Sequence, residues 1–427
     1  MSDTRNVTIC ILGAGPVGAT LAATLAAAGI PTAAIDRAPL PPMELPDFDG
    51  RAYAIALTSQ RLLAAAGIWG RLPGHPQAIR HIRVADGRPG ARPSSLTLDF
   101  DSAEISADPF GWMVEARALR VALNAALPSL PNLSVFAPAE ARVTRLPGHV
   151  EVAVAGGPTL RAQLVVGAEG RDSALRQSAG IRALRHDYGQ TGMVGAIAHE
   201  KPHHGTALEM FLPNGPFAQL PLAGPGGFGT DAMPHASAYV WSDRTPLAQR
   251  FLALDDEAFG REITRRMGDH LGRIRPIGRR WSYPLSALWA ERFTDTRMAL
   301  VGDAAHGIHP IAGQGLNLGF RDVAALAETV IAAVAANEDP GSQAVLARYA
   351  RRAQPDAALM LGATHVLEKL FGTDFPPVRI ARRLGIAAVD RLPALKRAFA
   401  ERAMGQTGGM GGAASGLLHG QTLAKVA

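Results

Sequence analysis

Between Arg297 and Asp322 the sequence reads RMALVGDAAHGIHPIAGQGLNLGFRD and gathers several kinds of chemistry. A carboxylate, Asp303, follows an apolar run and Gly302 directly, His306 and His309 precede Pro310, and Gly313 and Gly315 lead into an alanine-rich stretch. Glycines ahead of a helix leave backbone N–H groups free at the positive end of a helix dipole, which suits an anion. Asp303 would repel a phosphate, yet it can accept hydrogen bonds from ribose or ribityl hydroxyls. The combination points to the sugar-like and ring parts of a flavin. His306 and His309 have two readings, proton relay or fixing of the loop, and the second is the simpler.

Two further turns carry related chemistry. Val7–Leu12 ends in Gly13-Ala14-Gly15-Pro16-Val17-Gly18, a helical pattern runs to Ala28, and a strand over 32–35 stops at Asp36. In that order the glycines admit a pyrophosphate and the acid can bind adenosine ribose hydroxyls, without separating NAD from FAD. The third turn, Gly167 to Ser173, holds Glu169 and Arg171. Three strand-to-helix glycine turns exceed a single Rossmann unit.

The elements that must position these turns can be read in outline. At 427 residues the chain has room for roughly two or three domains, and 47% apolar with 19% charged residues excludes disorder as a default. A Pro-rich loop over 38–50 delivers Arg51, whose plain reading is a solvated arginine, and 54–66 is expected to be helical. Alternating segments at 81–86 and 95–100 suggest an excursion of sheet, 115–127 returns to helix, and 150–166 reads as a hairpin. From about 184 to 280 short alternating runs (193–199, 207–212, 217–222, 236–241) suggest an inserted antiparallel sheet. The expected class is α/β, a Rossmann-like domain (1–78, 108–183 and 281–345) with an inserted antiparallel-sheet substrate domain (79–107 and 184–280) and C-terminal helices (346–427). His199, His203 and His204 lack cysteine or carboxylate partners, so solvated loop histidines are expected and no metal site is assigned.

Charge and cysteine content set further bounds. Cys10 has no partner, which excludes an internal disulfide and fits a reducing compartment. The N-terminal apolar run is broken by its glycine turn and reads as strand and helix, not a signal peptide; no unbroken run has transmembrane length. Eight Arg/Lys against two acids from Pro376 onward account for the whole +6 excess. Without aromatic interleaving, this basicity favours an anionic membrane surface over nucleic acid, which is not expected as a partner.

The run His309-Pro310-Ile311-Ala312-Gly313-Gln314-Gly315-Leu316-Asn317-Leu318-Gly319 with Arg321-Asp322 resembles the group A flavoprotein monooxygenases, of para-hydroxybenzoate hydroxylase fold. Within them it is most similar to the ubiquinone-biosynthesis hydroxylases. Gly13 to Gly18, Arg51, Glu115-Ala116-Arg117, the Gly167 turn, Tyr283-Pro284-Leu285 and Arg402-Ala403-Met404-Gly405 extend the resemblance over nearly the whole chain. It departs from the family pattern at Glu169, where an aspartate is usual, and at Ala116, where an asparagine is usual.

What the resemblance implies is an FAD enzyme that consumes NAD(P)H and O₂ to hydroxylate the aromatic ring of a polyprenyl phenol. Gly13, Gly15, Pro16, Val17 and Gly18 would hold the pyrophosphate, Asp36 and Arg37 the adenosine end, Arg51 and Arg117 the phosphates and ring side, and Glu169 a neighbouring, less direct contact. Gly302 and Asp303 would serve the ribityl chain, while Gly313, Gly315, Leu316 and Asn317 would offer backbone amides to the electron-rich ring edge. The Pro310 carbonyl would lie where oxygen adds, with His309 as a candidate proton relay. Met210, Phe217, Gln219 and Leu220 are candidates for the substrate wall, with core packing an equal explanation of the apolar ones.

The C-terminal pattern Ile380, Leu384, Ala388, Leu392, Leu395, Phe399 reads either as helices docked on the body or as a membrane-facing edge admitting a prenyl tail. The expected location is cytoplasmic with peripheral contact at the inner face of the membrane, in association with other quinone-biosynthesis proteins. Rival readings are a flavin reductase of a prenyl lipid and a non-catalytic FAD-bound scaffold. A flavin halogenase is disfavoured because no W-x-W pair occurs.

Overall fold

The computed structural model describes residues 3–40, 49–91, 97–223, 233–372, 385, 388–406 and 415–426. Strand Thr4–Leu12 starts exposed and ends with four buried residues. It pairs in parallel with Thr32–Ile35 and Thr159–Gly167, and the parallel array continues through Met298–Leu300 on one side and Leu133–Phe136 on the other. Strands buried on both faces read as unbroken apolar runs, which is why this part is legible locally. Helix α1 (Pro16–Ala27) begins on a proline, a good first-turn residue.

The expected helix over 54–66 is instead strand Ala52–Ala56 followed by helix α2 (Leu57–Ala65). The strand pairs with Gly111–Glu115 in a three-stranded sheet. A Cβ on Gly111 would lie 2.2 Å from the Ile55 carbonyl oxygen, so this close approach needs glycine. Tertiary pairing overrides the helical preference of the alanines. Helices α3 (Ala116–Ala126) and α4 (Ala174–Ser178) follow.

The second sheet runs His306–Gly307, Ile274–Ala290, Ala183–His199, His235–Arg244, Gly215–Leu222, Thr206–Leu212, His81–Asp86, Thr97–Asp101. All neighbours are antiparallel except Thr206–Leu212 with His81–Asp86, which are parallel. That pair joins two separate excursions of the chain, so no hairpin constrains its direction. Side-chain alternation sorts the faces: Met210, Phe217, Tyr239 and Trp241 pack outward against α5 (Thr245–Leu252) and α6 (Asp256–Met267). Strand Ile274–Ala290 crosses the boundary expected near 280, and its end pairs with His306–Gly307. The loop that opened the sequence argument is thus an edge of the second sheet.

Helix α7 (Gln314–Ala335) lies on α1, where a Cβ on Gly319 would come 2.8 Å from Val17. Helix α8 (Gln343–Gly372) sends Tyr349, Ala353 and Met360 into the main core, and α9 (Pro393–Ala403) is tied back through Arg402 to Asp356, which also pairs with buried Arg321 at 2.8 Å. The chain then returns over the nucleotide part: the Met404 carbonyl accepts from Thr58, Leu417 and Leu418 enter the core, and the Val426 amide donates to Ala28. Over its described residues the C-terminal region is therefore woven into the body. Ile380 and Leu384, the basic Arg379, Arg382 and Arg383, and residues 41–48 of the Pro-rich loop lie outside the described residues. No helix among the described residues is long and apolar enough to cross a membrane.

Candidate active site

The three turns converge on one cavity of about 830 Å³. Gly13 adopts φ +98°, and a Cβ there would sit 2.4 Å from the Ala168 carbonyl oxygen, so the first and third turns touch through bare backbone. Gly15, by contrast, has nothing within 4 Å of its missing Cβ and faces the opening. Asp36 shapes the first turn, its two oxygens accepting from the amides of Ala14 (2.6 Å) and Ala38 (2.9 Å). Pro16, Val17, Asp36 and the exposed Arg37 line the cavity. Gly18 does not; a Cβ there would strike the Gly13 carbonyl oxygen at 1.9 Å, so this glycine seats α1 on its own turn.

Asp303 and Glu169 line the same cavity with different partners. Burial pushes the Asp303 carboxyl up, offset by Arg171, whose Nη1 stands 3.9 Å away. Arg171 itself is held by the carbonyl and hydroxyl of Ser286, at 2.5 and 2.7 Å. Glu169 accepts from the Ser173 hydroxyl (2.6 Å) and the Leu175 amide (3.0 Å), so it caps α4. Gly302, at φ +58° against Val17, is not on the wall and serves to turn Asp303 into it. Behind it, Asp322 accepts from the Gly302 amide (2.8 Å) and from His306 Nε2 (2.6 Å). Burial opposes the His306 cation, but Asp322, with help from Asp303, outweighs it and the ring's pKa is raised.

At the helix start, Gly313 (φ +62°) is the N-cap of α7, and Pro310, Gly313, Gly315 and Leu316 line the cavity. The Asn317 side chain is committed elsewhere, donating to the Ala54 carbonyl (2.8 Å) and accepting from the Ala56 amide (2.9 Å), which clamps α7 to strand Ala52–Ala56. His309 is buried beside Pro310; one ring nitrogen meets Gln190 Oε1 at 3.0 Å and the ring stands edge-on to Tyr188. Burial lowers its pKa to about 4, so it is neutral. It lines neither cavity. Arg51 pairs with Asp49 and stacks on Trp281, and Arg117 pairs with Glu115; neither lines the cavity.

Sequence reasoning missed Arg120, which donates to the Ala14 carbonyl at 2.8 Å. Burial lowers its pKa, opposed by Tyr53 and Asp36, and Tyr53 is itself a wall residue. Its position on an amphipathic helix gave no hint of this, because the contact spans 106 residues of sequence.

A second, apolar cavity of about 530 Å³ adjoins the first; the two share Ala54, Leu220, Val240, Pro310 and Gly313. Of the four substrate-wall candidates only Leu220 lines it. Met210, Phe217 and Gln219 point to the opposite face of the sheet, because strand alternation carries Pro216, Ala218 and Leu220 inward. Gln219 instead donates to Ser237 Oγ, which also meets His199 Nε2. His199 and His203 are accordingly not solvated: desolvation lowers both pKa values, His199 to about 4, while His204 is exposed.

Comparison with known proteins places this site in context. The FAD binding domain family matches residues 6–364. The chain is 47% identical to ubiquinone hydroxylase UbiL of Rhodospirillum rubrum over 93% of its length and 89% of the relative's. It is 32% identical to the 3-demethoxyubiquinol 3-hydroxylase of Escherichia coli, over 93% and 98%. Among solved structures, p-nitrophenol 4-monooxygenase PnpA of Pseudomonas putida superposes with a TM-score of 0.73 at 18% identity, covering 94% of this chain and 98% of that one, which shows the shared fold. With three glycine turns closing on one cavity and that degree of identity, the chain belongs to the FAD-dependent hydroxylase family that includes the ubiquinone hydroxylases.

Proposed function

We propose that this enzyme hydroxylates the aromatic ring of a polyprenyl phenol in ubiquinone biosynthesis, binding FAD in the larger cavity and the phenol in the apolar one. The observation that carries the reading is that both cavities meet at Pro310 and Gly313. The residues suit FAD: bare backbone at Gly15 opens toward a pyrophosphate, Asp36 and Arg37 stand at the adenosine end, and Asp303 offers acceptors for a polyol. When bound, FAD supplies activation of O₂ with electrons from NAD(P)H.

The chain's own residues then have separate tasks. Backbone amides at Gly315 and Leu316, at the positive end of α7, favour negative charge on whatever ring edge faces them. Neutral His309, fixed by Gln190 and Tyr188, acts as a positioning residue that sets the Pro310 carbonyl. The His306–Asp322 pair anchors the same loop to α7. Ala218, Leu220 and Val240 exclude water around the reacting ring, which protects oxygen transfer from solvent.

The far end of the apolar cavity is lined by Leu367 and Leu370 of α8 and by Phe399, Ala400 and Ala403 of α9, a wall suited to a prenyl tail. Leu392 and Leu395, which do not line that cavity, expose 53% and 41% of their surface, an apolar edge for peripheral membrane contact. Liposome flotation of the full chain with Leu392 and Leu395 changed to Asp tests this; binding equal to wild type would sink it. The reaction is tested by supplying FAD-loaded protein with NADPH, labelled O₂ and a 2-polyprenylphenol. A hydroxylated product carrying the label is expected. A saturated chain would support a reductase instead, and a flavoprotein inert toward every phenol would support a scaffold.

A further inference from the structure

The described wall of the apolar cavity holds a single ionisable side chain, Glu209. It sits mid-strand in Thr206–Leu212, in register with Val84 on one side and Ala218 on the other, and the same row continues to Val240. Ala207 and Phe211, two residues away on either side, line the cavity with it, while Met210 and Leu212 turn to the helical layer behind. The carboxyl makes no ion pair or hydrogen bond among the described residues. A carboxyl set in an apolar wall is costly unless an arriving group satisfies it.

We propose that Glu209 recognises the oxygen substituent of the incoming ring, hydrogen-bonding an uncharged phenol or quinol and turning away rings that carry a carboxylate. The inference rests on the phenol-hydroxylase reading and names a determinant of its specificity. No lysine, arginine or histidine stands among the described wall residues to receive a substrate carboxylate. The other polar wall groups are Ser242, Gln314 and Asn317, and Asn317 is spent on the backbone of Ala54 and Ala56. Burial pushes the Glu209 carboxyl up to about 8, so at neutral pH it carries a proton and can both donate to and accept from a phenol oxygen. A ring bearing a carboxylate would bring an anion into the same low-dielectric space, where none of the described wall residues offers a counterion and where loss of the Glu209 proton would set two like charges side by side, a penalty that Gln removes.

The test measures affinity of the FAD-loaded protein for 2-decylphenol and for 3-decyl-4-hydroxybenzoate through perturbation of the flavin spectrum. Wild type, Glu209→Gln and Glu209→Leu are compared, with flavin content and melting temperature recorded for each. Wild type is expected to prefer the phenol by about tenfold or more. Glu209→Leu should weaken phenol binding about tenfold, whereas Glu209→Gln should hold it within about threefold while narrowing the discrimination. Unchanged phenol affinity in a folded Leu variant, or unchanged discrimination in the Gln variant, overturns the proposal; if the Leu variant does not fold, the Gln discrimination alone decides. Phenol-dependent NADPH use that survives such a result leaves the hydroxylase reading standing. Failure of wild type to bind either ring would remove that reading instead.

Discussion

The two cavities touch at Pro310 but are built by different physics. The larger is made of backbone: glycine turns, helix starts and a few carboxylates whose oxygens shape the loops. The smaller is made of side chains on one face of a sheet, closed by helices from the far end of the chain. A backbone-built site tolerates almost no added atoms where turns meet, whereas a side-chain-built site can be enlarged, filled or re-aimed without losing the fold. This difference lets the substrate side vary while the cofactor side is held fixed.

The sharpest way to break the comparison is Gly13→Ala. A methyl group 2.4 Å from the Ala168 carbonyl oxygen, at φ +98°, should abolish nearly all flavin binding and cost about 3 kcal/mol or more. The flavin-to-protein absorbance ratio and thermal unfolding check both, and full flavin occupancy would contradict a backbone-built cavity. Next in size is Asp322→Asn, which leaves buried His306 without its counter-charge and should cost on the order of 3–5 kcal/mol in urea unfolding. Because His306 titrates higher in the folded state, the pair's contribution is fully present below the ordinary histidine value and fades as pH rises through the raised one. The gap between wild type and variant should therefore shrink at alkaline pH.

The smallest effects belong to the apolar cavity. Ala218→Phe should raise KM for a prenyl phenol by about tenfold with flavin content unchanged, since it fills the wall without touching the turns. Gln219→Ala, one residue on but on the opposite face, should change KM by less than about twofold. Steady-state kinetics on the two variants would sharpen the distinction between faces, and equal effects would erase it.

Much of the nucleotide half was legible because its signals are local. An apolar run, a glycine turn and a helix lie within about 20 residues, a span over which backbone geometry and period speak directly. Gly13, Gly15, Asp36, Asp303, Pro310 and Gly315 all reach one cavity as that grammar suggests. The substrate side was legible only as texture. The stretch ALEMFLPNGPFAQLPL announces strands, but a period of two does not say which face meets the cofactor, and a one-residue difference exchanges Ala218 for Phe217 or Gln219. Glu209 was in plain view there as one acid among apolar residues.

What the sequence by itself determined was therefore the class of cofactor, the order of the parts and the three glycine turns that meet at one cavity. Only the tertiary structure decided which sheet face lines the apolar cavity, that Arg120 supports the first turn from another helix, that Glu169 caps α4, and that the C-terminal segment closes the body. Each of these depends on contacts between residues distant in the chain, or on the direction a strand presents once paired, and neither is encoded in local spacing.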